Sequence, residues 1–180
     1  MIYLHVYQNQ EDVKQQSKKL LYKNLSAYLQ QEINENDVTY NPNGKPTVEG
    51  LHYSVSHSKH VVVQAFAHTQ VLGVDVEYIN RERNYMALAK RYYHPREFLL
   101  MESLVPEHAC RLFYTLWSLK EAVCKAEGGR LWYYLSGNYL DHNQQLLKEM
   151  NGMALTIIND TEGFSLALAS YENTEIKVVS

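Results

Sequence analysis

The sequence predicts an α+β fold in which helices pack on mostly antiparallel sheets. This prediction rests first on the order of the periodic segments, which runs strand, helix, strands, helices and strands. It rests also on size and composition, because 180 residues with 46% apolar and 21% charged residues can bury the core of a globular domain. The helix-then-strands order occurs twice, which is compatible with an internal duplication.

The N-terminal part of the chain is expected to form one strand, one helix and then several strands. Apolar and mixed residues alternate over Ile2–Tyr7, as in a strand, and apolar residues recur on one face of a helix over 11–31. The segment NPNGKP at 41–46 combines proline, glycine and asparagine and predicts a turn. The strands expected after this turn are His52–Val55, Val61–His68 and Val71–Ile79.

The middle of the chain is predicted to be helical, and its end returns to strands. The second of three helices begins on a proline in its first turn, and the third ends at Gly128-Gly129. The predicted helices are Asn84–Tyr93, Pro95–Leu104 and Glu107–Glu127. The predicted strands are 154–158, 164–170 and 175–179.

Composition excludes several classes of protein. No run of eighteen apolar residues is present, so no membrane span is expected, and the N-terminus lacks the basic and apolar regions of a signal peptide. Cys110 and Cys124 lie in helix-like contexts, so a disulfide framework is not expected and a cytoplasmic location is predicted. The net charge of −3 argues against a broad nucleic-acid-binding surface.

Two carboxylates stand on one face of the strand LGVDVEYI at 72–79. In a strand Asp75 and Glu77 point to one side, while Val74 and Val76 point to the other. Carboxylates about 7 Å apart repel each other unless a positive group lies between them. Mg²⁺ would suit this position, because it prefers carboxylate oxygens and retains open positions for phosphate. The alternative is a half-exposed strand with an acidic outer face.

A second candidate site lies on the helix that contains WSLKEAVCKAEGG, residues 117–129. Trp117, Glu121 and Lys125 are spaced four apart, so a helix places them on one stripe. Such a stripe can be part of an active site, or a solvated face with an ordinary glutamate–lysine pair. If Glu121 approached the two strand carboxylates, a cation would be required and Lys125 could reach a phosphate.

The segment Ser56-His57-Ser58 is expected to follow the end of a strand. Its hydroxyl and imidazole groups could bind phosphate oxygens, or they could cap a turn. Zinc binding by the nearby histidines is not expected, because the run lacks cysteine partners and an H-E-x-x-H helix.

The order of these motifs decides between the alternatives. They are G-K-P at 44–46, S-H-S at 56–58, G-V-D-V-E at 73–77, AKRYYHPRE at 89–97 and W-S-L-K-E-A-V-C-K-A-E-G at 117–128. In this order they resemble the 4′-phosphopantetheinyl transferases, and among them the Sfp-type branch of the holo-acyl-carrier-protein synthase superfamily. The resemblance covers about Gly44 to Leu131, roughly half of the chain.

The resemblance implies a Mg²⁺-dependent enzyme that transfers the phosphopantetheine arm of coenzyme A. The acceptor would be a serine of an apo acyl or peptidyl carrier protein, and adenosine 3′,5′-bisphosphate would be released. The implied metal ligands are Asp75, Glu77 and Glu121, and the implied catalytic residues are Glu121 and Lys125. The implied coenzyme A contacts are Gly44, Lys45, Pro46, Ser56, His57, Asp75 and Lys125. Whether Glu121 acts as general base or only as a metal ligand stays open.

The resemblance also implies a fold and an assembly. The family fold is a pseudo-duplicated monomer of two helix-plus-antiparallel-sheet halves with the active site between them. In this chain residues 1–180 would form a single unit, with halves of about 1–104 and 105–180. Trp117 would support the site, whereas Lys120, which is off the stripe, is expected to matter less than Lys125.

Three departures from the family pattern stand out. The usual phenylalanine of F-N-x-S-H-S is Tyr53 here, and Arg130 replaces a glycine after the long helix. Longer relatives carry a basic segment before the first helix that helps to bind the 3′-phosphate, for which Lys14 or Lys18 would be weak substitutes.

Other functions remain open for the sequence taken alone. The same carboxylates would suit a Mg²⁺-dependent phosphohydrolase, and a non-catalytic module that binds coenzyme A or a carrier protein is a further alternative. Since the chain is net negative, attraction of an acidic carrier would need a local basic patch, for which Lys90, Arg91 and Arg96 are candidates. Lys90 and Arg91 could equally be the solvated charges of a helix C-terminus.

Overall fold

A computed structural model describes residues 1–8, 11–158, 162–171 and 174–179 of the chain. The N-terminal part consists mainly of strands, with one long helix and a 3₁₀ turn at Glu35–Asp37. Its elements are β1 (Ile2–Tyr7), α1 (Val13–Leu29), β2 (Thr39–Tyr40), β3 (Pro46–Thr47), β4 (His52–Ser58), β5 (Val61–Ala67) and β6 (Leu72–Tyr78). The segment Ser56-His57-Ser58 therefore lies inside β4, not after a strand as the sequence predicts.

The C-terminal part begins with helices and ends with strands. Its elements are α2 (Tyr85–Tyr92), α3 (Pro95–Ser103), α4 (Pro106–Glu127), α5 (Trp132–Leu135), β7 (Glu149–Met150), β8 (Met153–Ile158), β9 (Phe164–Ser170) and β10 (Ile176–Val179). Prolines open both α3 and α4, where the missing N–H needs no partner. The predicted α+β class is confirmed.

The strands form two four-stranded sheets and one small two-stranded sheet. The first sheet has the order β10-β1-β5-β4, the second has the order β6-β9-β8-β7, and β2 pairs with β3. The pairing of β1 with β10 is parallel, and the remaining pairs are antiparallel. Strand β6 from the N-terminal part belongs to the second sheet, and strand β10 from the C-terminal part belongs to the first. Each large sheet therefore contains strands from both parts of the chain. The pseudo-duplicated halves at 1–104 and 105–180 stay a prediction.

Three apolar cores define four layers. The inner faces of the two large sheets share a core that includes Leu4, Val63, Val74 and Leu168. The outer face of the first sheet packs on α1, and the outer face of the second packs on α2, α3 and α4. The layers therefore follow the order helix, sheet, sheet, helix, with β4 and β6 next to each other where the two sheets meet.

Helix α4 lies directly on β6 because Gly73 has no side chain. A Cβ atom at Gly73 would collide with the carbonyl oxygen of Ala122 and the backbone nitrogen of Ala126. The helix ends at Gly128, which adopts a left-handed conformation with φ +66° and donates its N–H to Cys124. This close approach sets the distance between the side chains of α4 and those of β6.

Lys120 has a structural environment that its place in the sequence does not indicate. Its side chain is fully buried, and its Nζ lies 3.0 Å from the equally buried Glu97 carboxylate. The ammonium group also donates to the carbonyl of Gly137 and lies over the rings of Tyr93 and Tyr139. Lys120 therefore holds α3, α4 and the segment after α5 together. That it matters less to the reaction than Lys125 stays a prediction.

Both cysteines of the chain are reduced, and the described helices are not of the membrane-spanning kind. Cys110 and Cys124 are both buried free thiols. Among the residues that the structure describes, no helix combines the length and the apolar character needed to cross a bilayer.

Candidate active site

Three acidic side chains converge where α4 crosses β6. The alternation predicted for β6 is observed, because Val74 and Val76 enter the core between the sheets. Asp75 and Glu77 therefore face α4, which brings Glu121 towards them. Close approach of α4 at Gly73 makes this meeting of strand and helix possible.

Asp75 is the most enclosed of the three carboxylates, with 1% of its surface exposed. Its Oδ1 accepts hydrogen bonds from Ser56 Oγ at 2.8 Å and from Lys125 Nζ at 2.7 Å. The Lys125 ammonium also donates to Ser56 Oγ at 2.9 Å. One serine from the first sheet, one aspartate from the second and one lysine from α4 thus form a closed triangle.

The stripe predicted on α4 is present as a connected unit. The indole Nε1 of Trp117 donates to Glu121 Oε1 at 2.9 Å, and the second oxygen of Glu121 lies 3.9 Å from Lys125 Nζ. Trp117 fixes the orientation of the Glu121 carboxylate through this bond. Its ring packs in turn on Phe113, with centroids 5.7 Å apart.

The pKa values of two carboxyl groups in the cluster are raised, as expected for buried acids that repel one another. Burial, followed by repulsion from Asp75 and Glu121, raises the pKa of Glu77 to about 7. Burial, followed by the neighbouring Asp75, also raises the pKa of Glu121, although Lys125 and the Trp117 hydrogen bond oppose the shift. The positive charge of Lys125 therefore does not neutralise the three carboxylates.

The donor chemistry of the cluster suits a hard cation, although the side chains do not form a ready cage. Across the described ranges, no three His, Cys, Asp or Glu side chains stand in an arrangement that could hold a metal ion. However, Asp75 Oδ2 is buried and has no hydrogen-bond partner among the described residues. An unpaired carboxylate oxygen beside two further carboxylates is what a divalent cation would satisfy.

The turn at 41–46 is tied to the C-terminal end of α4. The side-chain amides of Asn41 and Asn43 donate to the carbonyl of Gly128, and Lys45 Nζ donates to the carbonyl of Ala126 at 2.7 Å. Burial lowers the pKa of Lys45. The turn and the helix end together border a cavity of about 320 Å³, lined among others by Gly44, Lys45, Pro46, Lys125 and Gly129.

His57 lies apart from Ser56 and Lys125, with which it was predicted to bind coenzyme A. Neighbours in a strand alternate, so Ser56 faces Asp75 while His57 faces away from it. The exposed imidazole lines a different cavity of about 310 Å³ beside α1, together with Lys14 and Lys18. Of these two lysines, Lys18 is paired with Glu35 at 2.8 Å.

Two residues near the site are not among the site residues predicted from the sequence. Arg83 precedes α2, and its guanidinium lies 5.7 Å from the ring centroid of Trp117. There its charge partly opposes the rise in the pKa of Glu77 that burial causes. Tyr53 lines the cavity next to Gly44–Pro46, and in the motif it is marked only as a replacement of the usual phenylalanine. Both are brought to the site by tertiary packing.

Comparison with known proteins identifies the family. A sequence model described as the 4′-phosphopantetheinyl transferase superfamily matches residues 71–169, more than half of the chain. The chain belongs to the 4′-phosphopantetheinyl transferase superfamily. The matched range contains Asp75, Glu77, Glu121 and Lys125, whereas Gly44–Pro46 and the Ser56-His57 pair lie outside it.

Curated relatives agree with this assignment. The 4′-phosphopantetheinyl transferase HetI of Nostoc sp. is 34% identical over 110 residues, which cover 58% of this chain and 46% of HetI. The transferase gsp of Aneurinibacillus migulanus is 30% identical over 125 residues, covering 67% of this chain and 52% of gsp. The chain spans about half the length of these curated relatives.

The departure of Arg130 from the superfamily pattern is accommodated without strain. The left-handed position after α4 is taken by Gly128, and Arg130 is not among the described residues with a positive φ angle. A glycine is therefore not required at position 130, and the arginine side chain is exposed to solvent.

Proposed function

We propose that this chain transfers the 4′-phosphopantetheine arm of coenzyme A to a serine hydroxyl of an apo carrier protein. The observation that carries the proposal is the cluster of Ser56, Asp75, Glu121 and Lys125 beside the Gly44–Pro46 cavity. A diphosphate needs positive charge and positioning more than covalent help from the protein. Membership of the superfamily supports the same reaction.

Asp75, Glu77 and Glu121 are the residues that would hold Mg²⁺ in this reaction. The unpartnered Oδ2 of Asp75 and the raised pKa values of Glu77 and Glu121 support the choice. When bound, the ion would supply charge neutralisation for the diphosphate and a template for its orientation.

The remaining groups would bind and orient coenzyme A. Lys125 is partly exposed and has a long side chain, so its ammonium group can turn from Asp75 to a pyrophosphate oxygen. Ser56 would contribute its hydroxyl from the same side. His57 would reach other phosphate oxygens from the cavity beside α1. Gly44, Lys45 and Pro46 would border the adenosine end.

The chemical step breaks the phosphoanhydride bond of coenzyme A and forms a phosphoester bond to the carrier. The serine oxygen of the carrier forms a bond to the β-phosphorus, and the bond from this phosphorus to the bridging oxygen breaks. Adenosine 3′,5′-bisphosphate leaves with that oxygen, while the serine proton passes to a base. Glu121 is the base that we propose, because Trp117 holds its carboxylate in place beside Asp75 and Lys125.

The experiment combines the chain with coenzyme A, Mg²⁺ and a panel of apo carrier proteins. Intact mass of each carrier should increase by the phosphopantetheine arm, and chelation of Mg²⁺ should stop the increase. Asp75→Ala should abolish transfer while circular dichroism stays unchanged, since loss of a metal ligand removes several kcal/mol of transition-state stabilisation.

Two results would contradict this function, and a third would contradict its metal site. Rapid release of adenosine bisphosphate without a carrier would identify a phosphohydrolase. Unmodified carriers across the whole panel, together with tight coenzyme A binding, would identify a non-catalytic binding module. Full transfer by folded Asp75→Ala protein would remove the proposed metal site.

A further inference from the structure

The hydroxyl group of Tyr53 is buried without a partner. The residue is 4% exposed, and its hydroxyl has no hydrogen-bond partner among the described residues. By contrast, Ser54 and Ser58 of the same strand accept hydrogen bonds from the backbone of β6, and Ser56 is bonded to Asp75. An unpaired buried hydroxyl lowers stability and is uncommon in folded proteins, so its retention needs a reason.

Packing does not supply this reason. The ring of Tyr53 belongs to the core beneath α1 and lies 6.4 Å from the ring of Phe66, centroid to centroid. A phenylalanine would fill the same space and would leave no polar atom unpaired. The hydroxyl therefore adds nothing to the fold by itself.

The position of Tyr53 points to a ligand. Tyr53 and Pro46 both line three neighbouring cavities, of about 320, 400 and 310 Å³. The first is lined by Lys125 and Gly44, and the third by His57 and two lysines of α1, Lys14 and Lys18. Tyr53 thus stands between the groups proposed to hold the diphosphate and the basic cavity beside α1.

We infer that the Tyr53 hydroxyl donates a hydrogen bond to the nucleotide end of bound coenzyme A where it lies across Gly44–Pro46. This inference rests on the function proposed above. Burial raises the pKa of Tyr53 well above its usual value, so the hydroxyl remains protonated and can donate. A ligand oxygen or ring nitrogen would then satisfy the only polar atom of this side chain.

The test is the Tyr53→Phe variant, which removes the hydroxyl and keeps the ring. Calorimetric titration with coenzyme A should show a dissociation constant about three- to tenfold higher than that of the wild type. The melting temperature of the unliganded protein should stay the same or rise, because an unpaired polar atom has been removed. Titration with 4′-phosphopantetheine, which lacks the nucleotide, should be unaffected.

Tyr28→Phe is the matched control. Its hydroxyl is 2.8 Å from His5 Nε2, and it lines none of these three cavities. The Tyr28→Phe protein should have a lower melting temperature than the wild type and the same affinity for coenzyme A.

The outcomes separate this inference from the proposed function. If the wild type fails to bind coenzyme A, the proposed function fails. If the wild type binds and Tyr53→Phe binds equally well, only the inference is overturned. It is also overturned if Tyr53→Phe lowers the melting temperature as much as Tyr28→Phe does. The same holds if Tyr53→Phe weakens the binding of 4′-phosphopantetheine as much as it weakens that of coenzyme A.

Discussion

At the scale of single residues, Lys125 faces more negative charge than it can neutralise. Its ammonium is 2.7 Å from Asp75 and 3.9 Å from Glu121. Burial, followed by repulsion from Asp75 and Glu121, raises the pKa of the nearby Glu77 to about 7. A phosphate alone would be repelled by such a group of carboxylates. The lysine and a cation together would make the site attractive to a diphosphate.

Replacement of Lys125 by alanine should weaken coenzyme A binding. A hydrogen bond from a charged group contributes about 1.5–3 kcal/mol, so the dissociation constant should rise by about tenfold or more. Titration calorimetry measures the change, and circular dichroism verifies the fold. Lys23→Ala, on the exposed surface of α1, is the control and should bind as the wild type does. Equal affinity of the Lys125→Ala and Lys23→Ala proteins would contradict the role of Lys125.

Replacement of Glu121 by glutamine should reduce turnover severely without unfolding the protein. The amide oxygen can still accept the Trp117 hydrogen bond, but the group can neither take up a proton nor bind a cation as a carboxylate does. Loss of a general base lowers the rate by roughly 10²–10⁴-fold. Single-turnover rates at saturating substrates measure the loss. The exposed Glu102→Gln on α3 should retain the wild-type rate, and a comparable rate for Glu121→Gln would exclude Glu121 as the base.

At the scale of elements, the position of α4 depends on a buried ion pair. Lys120 and Glu97 are both fully buried, and Glu97 also accepts the backbone N–H of Tyr139. Desolvation lowers the pKa of Lys120 to about 8, although the Glu97 carboxylate opposes this shift. The pair fixes the helix that also carries Glu121 and Lys125.

Removal of one partner should destabilise the whole domain. Lys120→Ala should lower the free energy of unfolding by about 3–5 kcal/mol, because it leaves the Glu97 carboxylate buried and unpaired. Urea denaturation followed by circular dichroism measures the change. Lys120→Met combined with Glu97→Gln, which removes both charges, should regain a large part of the loss. If Lys120→Ala were as stable as the wild type, the buried pair would have no structural role.

The long periodic elements could be predicted from the sequence, and the short ones could not. The strands Ile2–Tyr7 and Phe164–Ser170 have the predicted bounds, because alternation and flanking turns define them locally. The two-residue strands β2 and β3 and the helix α5 depend on contacts between distant segments, such as the bonds from Asn41 and Asn43 to Gly128.

The same distinction applies to the site. Asp75 and Glu77 are two residues apart in a strand, and Glu121 and Lys125 are four apart in a helix. Each pair therefore lies on one face of its own element, which the local sequence is enough to predict. The burial of Lys120 has no such signal, since its partner Glu97 is 23 residues away and a lysine on a helix is usually solvated. The unpartnered hydroxyl of Tyr53 likewise depends on how the turn at 41–46 meets β4.

At the scale of the whole molecule, the site spans the boundary between the two large sheets. Ser56 comes from the first sheet and Asp75 from the second, and backbone groups of β6 donate to Ser54 and Ser58 along the same boundary. Side chains from both sheets and from α4 must therefore be held together before the cluster exists. The Gly44–Pro46 turn adds the wall of the cavity through its bonds to the end of α4.

Charge is unevenly distributed over the molecule. Segments 83–96 and 128–140 contain five arginine and lysine residues and no aspartate or glutamate, although the chain as a whole carries −3. The two segments meet where the rings of Tyr92 and Trp132 lie 5.5 Å apart. Trp132 and Tyr133 are 65% and 79% exposed. Exposed aromatic rings among cations are typical of a surface that binds an acidic protein partner.

Reversal of two charges on this surface should impair the use of the carrier protein. Lys90 and Arg91 are exposed at the end of α2, and Lys90→Glu with Arg91→Glu should raise the KM for the carrier and leave that for coenzyme A nearly unchanged. Added salt should weaken the wild type more than the variant, because screening acts on an attraction that the variant has already lost. Steady-state kinetics at several salt concentrations measure both effects. The control is Lys19→Glu with Lys23→Glu on α1, which changes the net charge equally and should behave as the wild type. Equal impairment of both variants would indicate a general effect of net charge. If neither variant were impaired, the docking surface would lie elsewhere.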